Sequence, residues 1–335
     1  MSTSTIALHA GMLDIDCEAE TARITARIVA MVGTELRKRG LIIALSGGVD
    51  SSVCAALAVH ALGAKKVFGL MLPEQDSSST SLTRAKLVAE QFGIEYAVEN
   101  IAPALEALHC YRWRDDAIRT VFPDYNSDWK SKIAIAGGNA GEKGSSFNYF
   151  KLVVQSPDGK LQEARLPAKA YLQIVAATNF KQRIRKTSEY FHADRLNYAV
   201  IGTPNRLEYD QGFFVKNGDG AADLKPIAHL YKTQVYAMAR YLGLPDEICD
   251  AAPTTDTYSL AQGQDEFYFM FTYDKMDAAL WAVNHGAAAA DLAAHLNISV
   301  SQASFVMADI AAKRVATRYL HASPLLVMPV LGITT

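Results

Sequence analysis

Residues 41–52 have the sequence LIIALSGGVDSS, and this stretch decides the fold. The apolar run Leu41–Leu45 predicts a buried strand, and a helix is predicted from Ser51 to Leu62. A glycine-rich loop between a strand and a helix directs backbone N–H groups and the helix N-terminus at one point, which favours an anion. Asp50 would repel a bare phosphate, so its presence indicates a Mg²⁺ ion between the carboxylate and phosphate groups.

Two other interpretations of this loop compete with phosphate binding. A Walker A loop is excluded, because the Gly-Lys-Ser/Thr ending is missing. A plain turn capped by Asp50 is the structural alternative. Two glycines and three serine hydroxyls between a buried strand and a helix favour the phosphate site, because glycine lets the backbone approach a ligand closely.

Strands and helices alternate outward from the loop. The predicted strands are Leu41–Leu45, Val67–Leu72, Ile94–Val98 and Tyr198–Ile201, and the predicted helices are Glu18–Arg39, Ser51–Leu62, Leu82–Phe92, Asn179–Phe191 and Lys232–Leu242, with mostly helical residues from Ala278 to Leu320. This βαβ alternation predicts an α/β fold, a doubly wound, Rossmann-like parallel sheet with flanking helices. Ligands of such sheets bind at the carboxyl ends of the strands.

Residues 126–165 break the alternation. The stretches Lys151–Val154 and Leu161–Leu166 flank Pro157-Asp158-Gly159, which predicts a β-hairpin preceded by a glycine-rich loop. We interpret 126–165 as a mid-chain insertion, a loop plus β-hairpin, within a single domain over residues 13–325. A second polar loop is predicted from Pro204 to Asp223.

Composition narrows the class of protein. The 335 residues include 33 basic and 35 acidic side chains, a net charge of -2, which argues against a general binder of nucleic acid or of anionic membranes. The four cysteines form no CxxC pair, and the N-terminus does not resemble a secretion signal. These features predict a cytoplasmic protein with no nucleic-acid and no membrane partner.

The S-G-G-x-D-S pattern resembles the pyrophosphate-binding loop of the N-type ATP pyrophosphatases, which cleave ATP to AMP and pyrophosphate. Further motifs resemble those of the NAD synthetase family within this group. They are N-F-K-Q-R-I-R at residues 179–185, Gly202-Thr203 followed by Glu208, G-F-F-V-K-N-G-D-G at 212–220, L-Y-K-T-Q-V at 230–235, and Pro253-Thr254 with Asp256. The resemblance covers about residues 20–110 and 174–265, and it implies the adenine nucleotide alpha-hydrolase-like variant of the Rossmann-like fold.

The resemblance implies an enzyme, an ammonia-dependent NAD synthetase without a glutaminase domain. Such an enzyme amidates nicotinic acid adenine dinucleotide to NAD through an acyl-adenylate, using ATP, Mg²⁺ and ammonia and releasing AMP and pyrophosphate. The ammonia would come free from solution or from a separate glutaminase. The resemblance also implies a homodimer.

Roles are implied for the residues that match the family's motifs. ATP binding is implied for Ser46, Gly47, Gly48, Asp50, Ser51, Ser52, Thr203, Lys232 and Thr254, and metal binding for Asp50 and Glu208. Binding of the dinucleotide or ammonia is implied for Asn179, Arg183, Lys216 and Asp223. Catalytic roles are implied for Asp50, Lys216, Asp219 and Lys232. In these roles Lys232 neutralises phosphate charge, and Asp219 lies near the incoming ammonia.

Three alternatives stay open on the sequence. The same chemistry on a different carboxylate is favoured by Val215, where the family commonly has Thr, and by the insertion at 126–165. A tRNA-modifying pyrophosphatase fits the loop but not the acidic charge balance. A nucleotide-binding protein without catalysis fits poorly with the presence of Asp50, Glu208 and Lys232 together.

Overall fold

The computed structural model of the chain describes residues 8–136, 149–251, 258–260, 268–269, 271–328, 330 and 332. Its strands are β1 (Leu41–Ala44), β2 (Val67–Met71), β3 (Glu95–Val98), β4 (Lys130–Ala136), β5 (Tyr149–Gln155), β6 (Leu161–Arg165) and β7 (Ala199–Val200). Its helices are α1 (Cys17–Ala30), α2 (Val49–Leu62), α3 (Ser79–Gln91), α4 (Ala102–Ala107), α5 (Cys110–Arg119), α6 (Ala168–Leu196), α7 (Arg206–Gln211), α8 (Lys232–Tyr241), α9 (Asp246–Cys249), α10 (Tyr273–Asn284), α11 (Ala289–Leu296) and α12 (Val300–His321).

The central sheet confirms the predicted doubly wound α/β fold. Its strands lie in the order β3-β2-β1-β7, and all of the neighbouring pairs are parallel. The chain builds outward from β1 to β3 and then crosses back to place β7 on the other side of β1. The strand order therefore reverses between β1 and β7, and ligands of doubly wound sheets bind beside such a reversal.

Helices cover both faces of this sheet. Side chains alternate between the faces along a strand, so neighbouring residues of β1 enter different clusters. Ile43 packs with Val53 of α2 and Val235 of α8 on one face. Ile42 packs with Leu105 of α4 and Ala177 of α6 on the other. This burial on both faces explains why β1 is an uninterrupted apolar run.

A second, antiparallel sheet is formed by β4, β5 and β6. β4 pairs with β5 over seven residues, and β5 turns through residues 156–160 into β6. Ile133 and Leu152 of this sheet pack with Ile118 of α5 and Ile174 of α6. The second sheet is therefore anchored on the helices that cover one face of the central sheet.

Some element boundaries differ from the sequence-based predictions. The first helix ends at Ala30 and continues as a π-helical turn to Glu35, and α6 extends well beyond the predicted Asn179–Phe191. The predicted loop from Pro204 to Asp223 was wrong in part, because it contains α7. The structure also contains β4, α4 and α5, which were not predicted.

The missed helix α7 has a local physical cause. The side chain of Asn205 accepts hydrogen bonds from the backbone of Leu207 and Glu208, both at 3.1 Å, and Glu208 accepts one from the Asn205 N–H at 3.2 Å. This reciprocal capping box stabilises a helix too short to show apolar periodicity. The pattern Asn-x-x-Glu was the signal that could have predicted it.

Candidate active site

A cavity of about 520 Å³ opens at the carboxyl edge of the central sheet. Ser46 follows β1, Pro73 follows β2 and Thr203 follows β7, and all three residues line the cavity. The cavity therefore lies at the reversal of strand order, where the predicted fold places its ligands.

The glycine-rich loop forms one wall of the cavity. Gly48 N donates to Ser46 Oγ at 3.3 Å, and Ser51 Oγ donates to Gly48 O at 3.0 Å. Gly47 has φ +79°, and a Cβ atom there would lie 2.2 Å from the carbonyl oxygen of Ser81. Only glycine fits this position without strain. The loop thus presents hydroxyls and the N-terminus of α2 to the cavity.

Asp50 and Lys232 meet at the first turns of α2 and α8. Their side chains form an ion pair, and Asp50 also accepts a hydrogen bond from Asn205 Nδ2 at 3.1 Å. The Lys232 side chain is only 2% exposed. Burial alone would lower the pKa of Lys232, but the carboxylates of Asp50 and Glu208 more than offset this and raise it. Lys232 is therefore held as a cation at the cavity wall.

Glu208, on α7, lies on the cavity wall with Asp50 and Lys232. Desolvation by the surrounding protein, together with the negative charge of Asp50, raises the pKa of Glu208 to about 8. A divalent cation bound by both carboxylates would offset the repulsion between their negative charges. No group of three or more His, Cys, Asp or Glu side chains within the described ranges could hold a metal on its own. Asp50 and Glu208 fit Mg²⁺, which commonly takes one or two protein carboxylates and completes its shell with phosphates and water.

Asp277 is a buried residue near this group that sequence reasoning missed. Its Oδ2 atom accepts hydrogen bonds from Thr233 N at 2.8 Å and Thr233 Oγ1 at 3.0 Å. Burial raises the pKa of Asp277 to about 6, although these hydrogen bonds oppose the shift. The contact fixes the first turn of α8, where Lys232 lies. In the sequence Asp277 is one acid in a helical segment, and nothing there marks its partner 44 residues away.

One face of α6 forms the long wall of the cavity. The residues that line it recur every three or four positions and include Tyr171, Val175, Asn179, Gln182, Lys186 and Glu189. This spacing keeps them on one helix face. Asn179 was predicted as a substrate-binding residue, and the helical period from it would have led to Lys186 and Glu189.

Lys186 and Glu189 form a buried ion pair on this wall, with Nζ and Oε2 2.6 Å apart. Burial raises the pKa of Glu189, although the positive charge of Lys186 opposes the shift. Asp219 also lines the cavity, and its Oδ1 atom accepts a hydrogen bond from Val215 N at 2.7 Å. Desolvation by the walls raises the pKa of Asp219, and Lys186 acts in the opposite direction. Asp219 thus lies at the cavity within the electrostatic influence of a buried cation.

The structure brings most of the predicted site residues to this one cavity. Those on its wall are Ser46, Gly47, Gly48, Asp50, Ser51, Asn179, Thr203, Glu208, Asp219 and Lys232. Four others do not line it, namely Ser52, Arg183, Lys216 and Asp223. Thr254 and Asp256 lie outside the described residues.

The four residues away from the wall make internal contacts. Ser52 Oγ donates to Gly48 O at 2.8 Å inside α2. Arg183 Nε donates to the carbonyl oxygen of Lys216 at 3.2 Å. Asp223 Oδ2 accepts from the N–H of Val200 in β7 at 2.7 Å.

Lys216 reaches toward the end of α12. Its ammonium donates to the carbonyl oxygens of Tyr319 at 2.8 Å and Ala322 at 3.2 Å. A cation at a helix C-terminus satisfies carbonyls that lack an intrahelical partner. These contacts attach the loop that carries Asp219 to α12.

None of the helices in the described part of the chain is long and apolar enough to cross a membrane.

The family model described as NAD synthase matches residues 22–128 and 147–316. An NH(3)-dependent NAD(+) synthetase of Rhizobium meliloti (strain 1021) is 58% identical over 325 residues, which are 97% of this chain and 96% of that protein. One of Thermotoga maritima is 38% identical over 248 residues, which are 73% of this chain and 80% of that protein.

Solved structures show the same fold. The chain is similar to an NMN synthetase from Francisella tularensis, with a TM-score of 0.62 and 21% identity over 93% of this chain and 99% of that one. It is also similar to an NH3-dependent NAD synthetase from Campylobacter jejuni, with a TM-score of 0.60 and 22% identity over 94% of this chain and 100% of that one.

Proposed function

The chain belongs to the NAD synthase family, and we propose that it amidates nicotinic acid adenine dinucleotide to NAD with ATP and ammonia. The observation that carries this proposal is the meeting of Asp50, Glu208 and Lys232 at the cavity beside the glycine-rich loop. The proposal treats residues 13–325 as one catalytic domain with an insertion at 126–165.

ATP binds with its phosphates at residues 46–51. The loop supplies hydroxyl donors and a helix N-terminus, both of which favour phosphate oxygens. Asp50 and Glu208 would hold Mg²⁺, which when bound neutralises negative charge on the phosphates. Lys232 is a fixed cation at the same wall, and it stabilises the charge that develops as pyrophosphate leaves.

The first chemical step activates the substrate's carboxylate. One carboxylate oxygen forms a bond to the α-phosphorus of ATP, and the bond from that phosphorus to the β-phosphate oxygen breaks. Pyrophosphate leaves and an acyl-adenylate remains. The position of Asn179 on the α6 wall supports contact with the dinucleotide.

The second step forms the amide. Ammonia forms a bond to the acyl carbon, the bond from that carbon to the AMP oxygen breaks, and the nitrogen releases one further proton to solvent to give the neutral amide. Asp219 binds the incoming ammonium and accepts a proton from it, so that a neutral nucleophile attacks. Lys216, Arg183 and Asp223 act as positioning residues through the internal contacts that fix the loop carrying Asp219.

Two further features belong to the proposal. The chain acts as a homodimer, for which two large apolar side chains of α6 offer support, because Leu172 and Phe191 are 65% and 63% exposed. It acts in the cytoplasm, for which the four free thiols offer support.

One assay tests the function. Purified protein, MgATP and ammonium chloride are incubated with nicotinic acid adenine dinucleotide, with nicotinic acid mononucleotide or with neither, and AMP and NAD are quantified. We expect equal amounts of AMP and NAD with the dinucleotide and little AMP otherwise. AMP formation with the mononucleotide alone would assign a different carboxylate substrate, and no AMP with either would refute the amidation.

A further inference from the structure

Two aromatic rings line the end of the cavity near the second sheet. Phe150, on β5, and Tyr171, on the first turn of α6, are stacked with ring centroids 4.3 Å apart and an interplanar angle of 19°. Both side chains lie on the cavity wall. Neither residue was predicted to belong to the site.

The second sheet holds this pair in place. β4 pairs with β5 from Lys130 opposite Gln155 to Ala136 opposite Tyr149. β4 is itself attached to residues 258–260, because Ser131 N donates to Ser259 Oγ at 2.8 Å and Leu260 N donates to Ser131 O at 3.2 Å. Residues 129–146, which include all of β4, fall between the two ranges that match the family model. An added strand thus supports the strand that carries Phe150.

The aromatic pair lies far from the edge of the central sheet. Lys181 of α6 forms an ion pair with Glu74, which follows β2, so this part of α6 lies beside the sheet edge. Tyr171 precedes Lys181 by ten residues, which is about 15 Å of helix at 1.5 Å per residue. The whole wall from Tyr171 to Glu189 is about 27 Å long by the same rise. The cavity therefore extends well beyond the glycine-rich loop at the sheet edge.

This length leaves room in the cavity for a second ligand beyond the phosphates of ATP. The glycine-rich loop and Lys232 occupy the sheet edge and fit the phosphates of ATP. The other end offers stacked aromatic rings, and their π-faces favour contact with a flat ring. The dinucleotide is the second substrate of the proposed reaction, and it carries two heteroaromatic rings.

We propose, resting on the proposed function, that Phe150 and Tyr171 are specificity-determining residues that contact a heteroaromatic ring of the dinucleotide. The added strand β4 is then part of substrate recognition, because it holds β5 and with it Phe150.

The test compares Phe150→Ala with Tyr149→Ala. Tyr149 is the preceding residue of β5, so it points to the opposite face of the strand, and it is 42% exposed and not on the cavity wall. We expect Phe150→Ala to raise the KM for the dinucleotide about 10-fold while the KM for ATP changes less than about twofold. Tyr149→Ala should leave both constants unchanged. Phe150→Leu keeps an apolar side chain in the sheet without an aromatic face, and it should show the same selective rise if the ring matters.

Three outcomes overturn the proposal. The KM for ATP could rise instead, which would place the adenine of ATP on this wall. Phe150→Ala and Phe150→Leu could match Tyr149→Ala, or all constants could change together with a lowered Tm. Calorimetric binding of the dinucleotide without ATP separates this proposal from the proposed function. A wild-type protein that binds the dinucleotide but forms no NAD refutes the function alone, and a wild-type protein that does not bind it refutes both.

Discussion

The ammonium of Lys232 pairs with the carboxylate of Asp50 across 182 positions of sequence. Lys232 begins α8, and Asp50 lies in the first turn of α2. Both helices pack on the same face of the central sheet through Val53 and Val235. The fold therefore places the ammonium of Lys232 and the carboxylate of Asp50 together at the end of the glycine-rich loop.

Lys232→Met should abolish most of the activity. The buried ammonium is pre-positioned, so its removal takes away transition-state stabilisation that water cannot replace, and we expect kcat to fall about 100-fold or more. Steady-state AMP formation measures this. Lys151→Met is the matched control, because Lys151 also forms an ion pair, with Glu163 at 2.7 Å, but on the exposed second sheet. A kcat within threefold of wild type for Lys232→Met would exclude the electrostatic role.

The glycine-rich loop illustrates what could be predicted from sequence. Strand, loop and helix are contiguous in residues 41–62, so hydrophobic patterning and glycine chemistry sufficed for both the fold class and the phosphate site. The motif resemblance implied that Asp50 and Lys232 both lie at the ATP phosphates, but their ion pair was not predicted, because no local pattern reports a contact between distant helices.

Gly47 and Gly48 should respond differently to substitution by alanine. Gly47 has φ +79° and its Cβ would meet the carbonyl oxygen of Ser81 at 2.2 Å, so Gly47→Ala should cost about 2 kcal/mol or more of unfolding free energy. The nearest atom to a Cβ on Gly48 is Ser46 Oγ at 3.4 Å. Gly48→Ala should therefore fold normally but raise the KM for ATP about 10-fold, because the methyl group occupies the approach to the phosphates.

Urea unfolding and the KM for ATP, measured for Gly47→Ala and Gly48→Ala, test these two predictions. Equal stability of the two variants would contradict the backbone argument at Gly47. A normal KM for ATP in Gly48→Ala would show that the phosphates do not approach the loop backbone.

Glu208 should make the stability of the metal-free protein fall as pH rises. Its pKa is about 8 in the folded protein, against about 4.3 in an unfolded chain. Between these values the folded state binds more protons, so the free energy of unfolding decreases with increasing pH. The stabilisation that Glu208 provides is fully present below the pKa it has in the unfolded chain, and it is lost as the pH rises through about 8.

Thermal unfolding with EDTA at pH 6 to 9 tests this for wild type and Glu208→Gln. We expect the Tm of wild type to fall relative to that of Glu208→Gln across this range. Asp277, whose pKa is raised to about 6, titrates in both proteins and cancels in the comparison. Added MgATP should reduce the difference at high pH, because a cation favours the ionised carboxylate. Parallel Tm curves in EDTA would contradict the raised pKa of Glu208. A difference at high pH that MgATP leaves unchanged would contradict the assignment of Glu208 to the metal.

The parts of the site that sequence reasoning missed have a common cause. Asp277 and the aromatic pair Phe150 and Tyr171 act through tertiary contacts that carry no local spacing signal. The loop around Asp219 was predicted, but Lys216 within it contacts α12 and does not line the cavity. The glycines in G-F-F-V-K-N-G-D-G at residues 212–220 do not fix the direction in which Lys216 points.

Substitutions of the buried pair Lys186 and Glu189 should affect stability and catalysis differently. Their side chains are 7% and 4% exposed, so Lys186→Met alone leaves a buried carboxylate without its partner and should cost about 3 kcal/mol of unfolding free energy. The double variant Lys186→Met/Glu189→Leu replaces the pair with apolar side chains and should recover most of that stability. Its activity should not recover. Lys186 is a cation that counteracts the raised pKa of Asp219, so without it a larger fraction of Asp219 is protonated, and a protonated carboxyl group neither pairs with ammonium nor accepts its proton.

We therefore expect the KM for ammonium to stay at least about fivefold raised in the double variant, which corresponds to about 1 kcal/mol, while the KM for ATP is unchanged. The control is Lys151→Met/Glu163→Leu, which removes an exposed pair of the same composition and should alter stability by less than about 1 kcal/mol. Urea unfolding and the KM for ammonium at one fixed pH measure the two effects independently. A double variant with both wild-type stability and a wild-type KM for ammonium would show that the pair serves packing alone, because the positive charge beside Asp219 would then be dispensable.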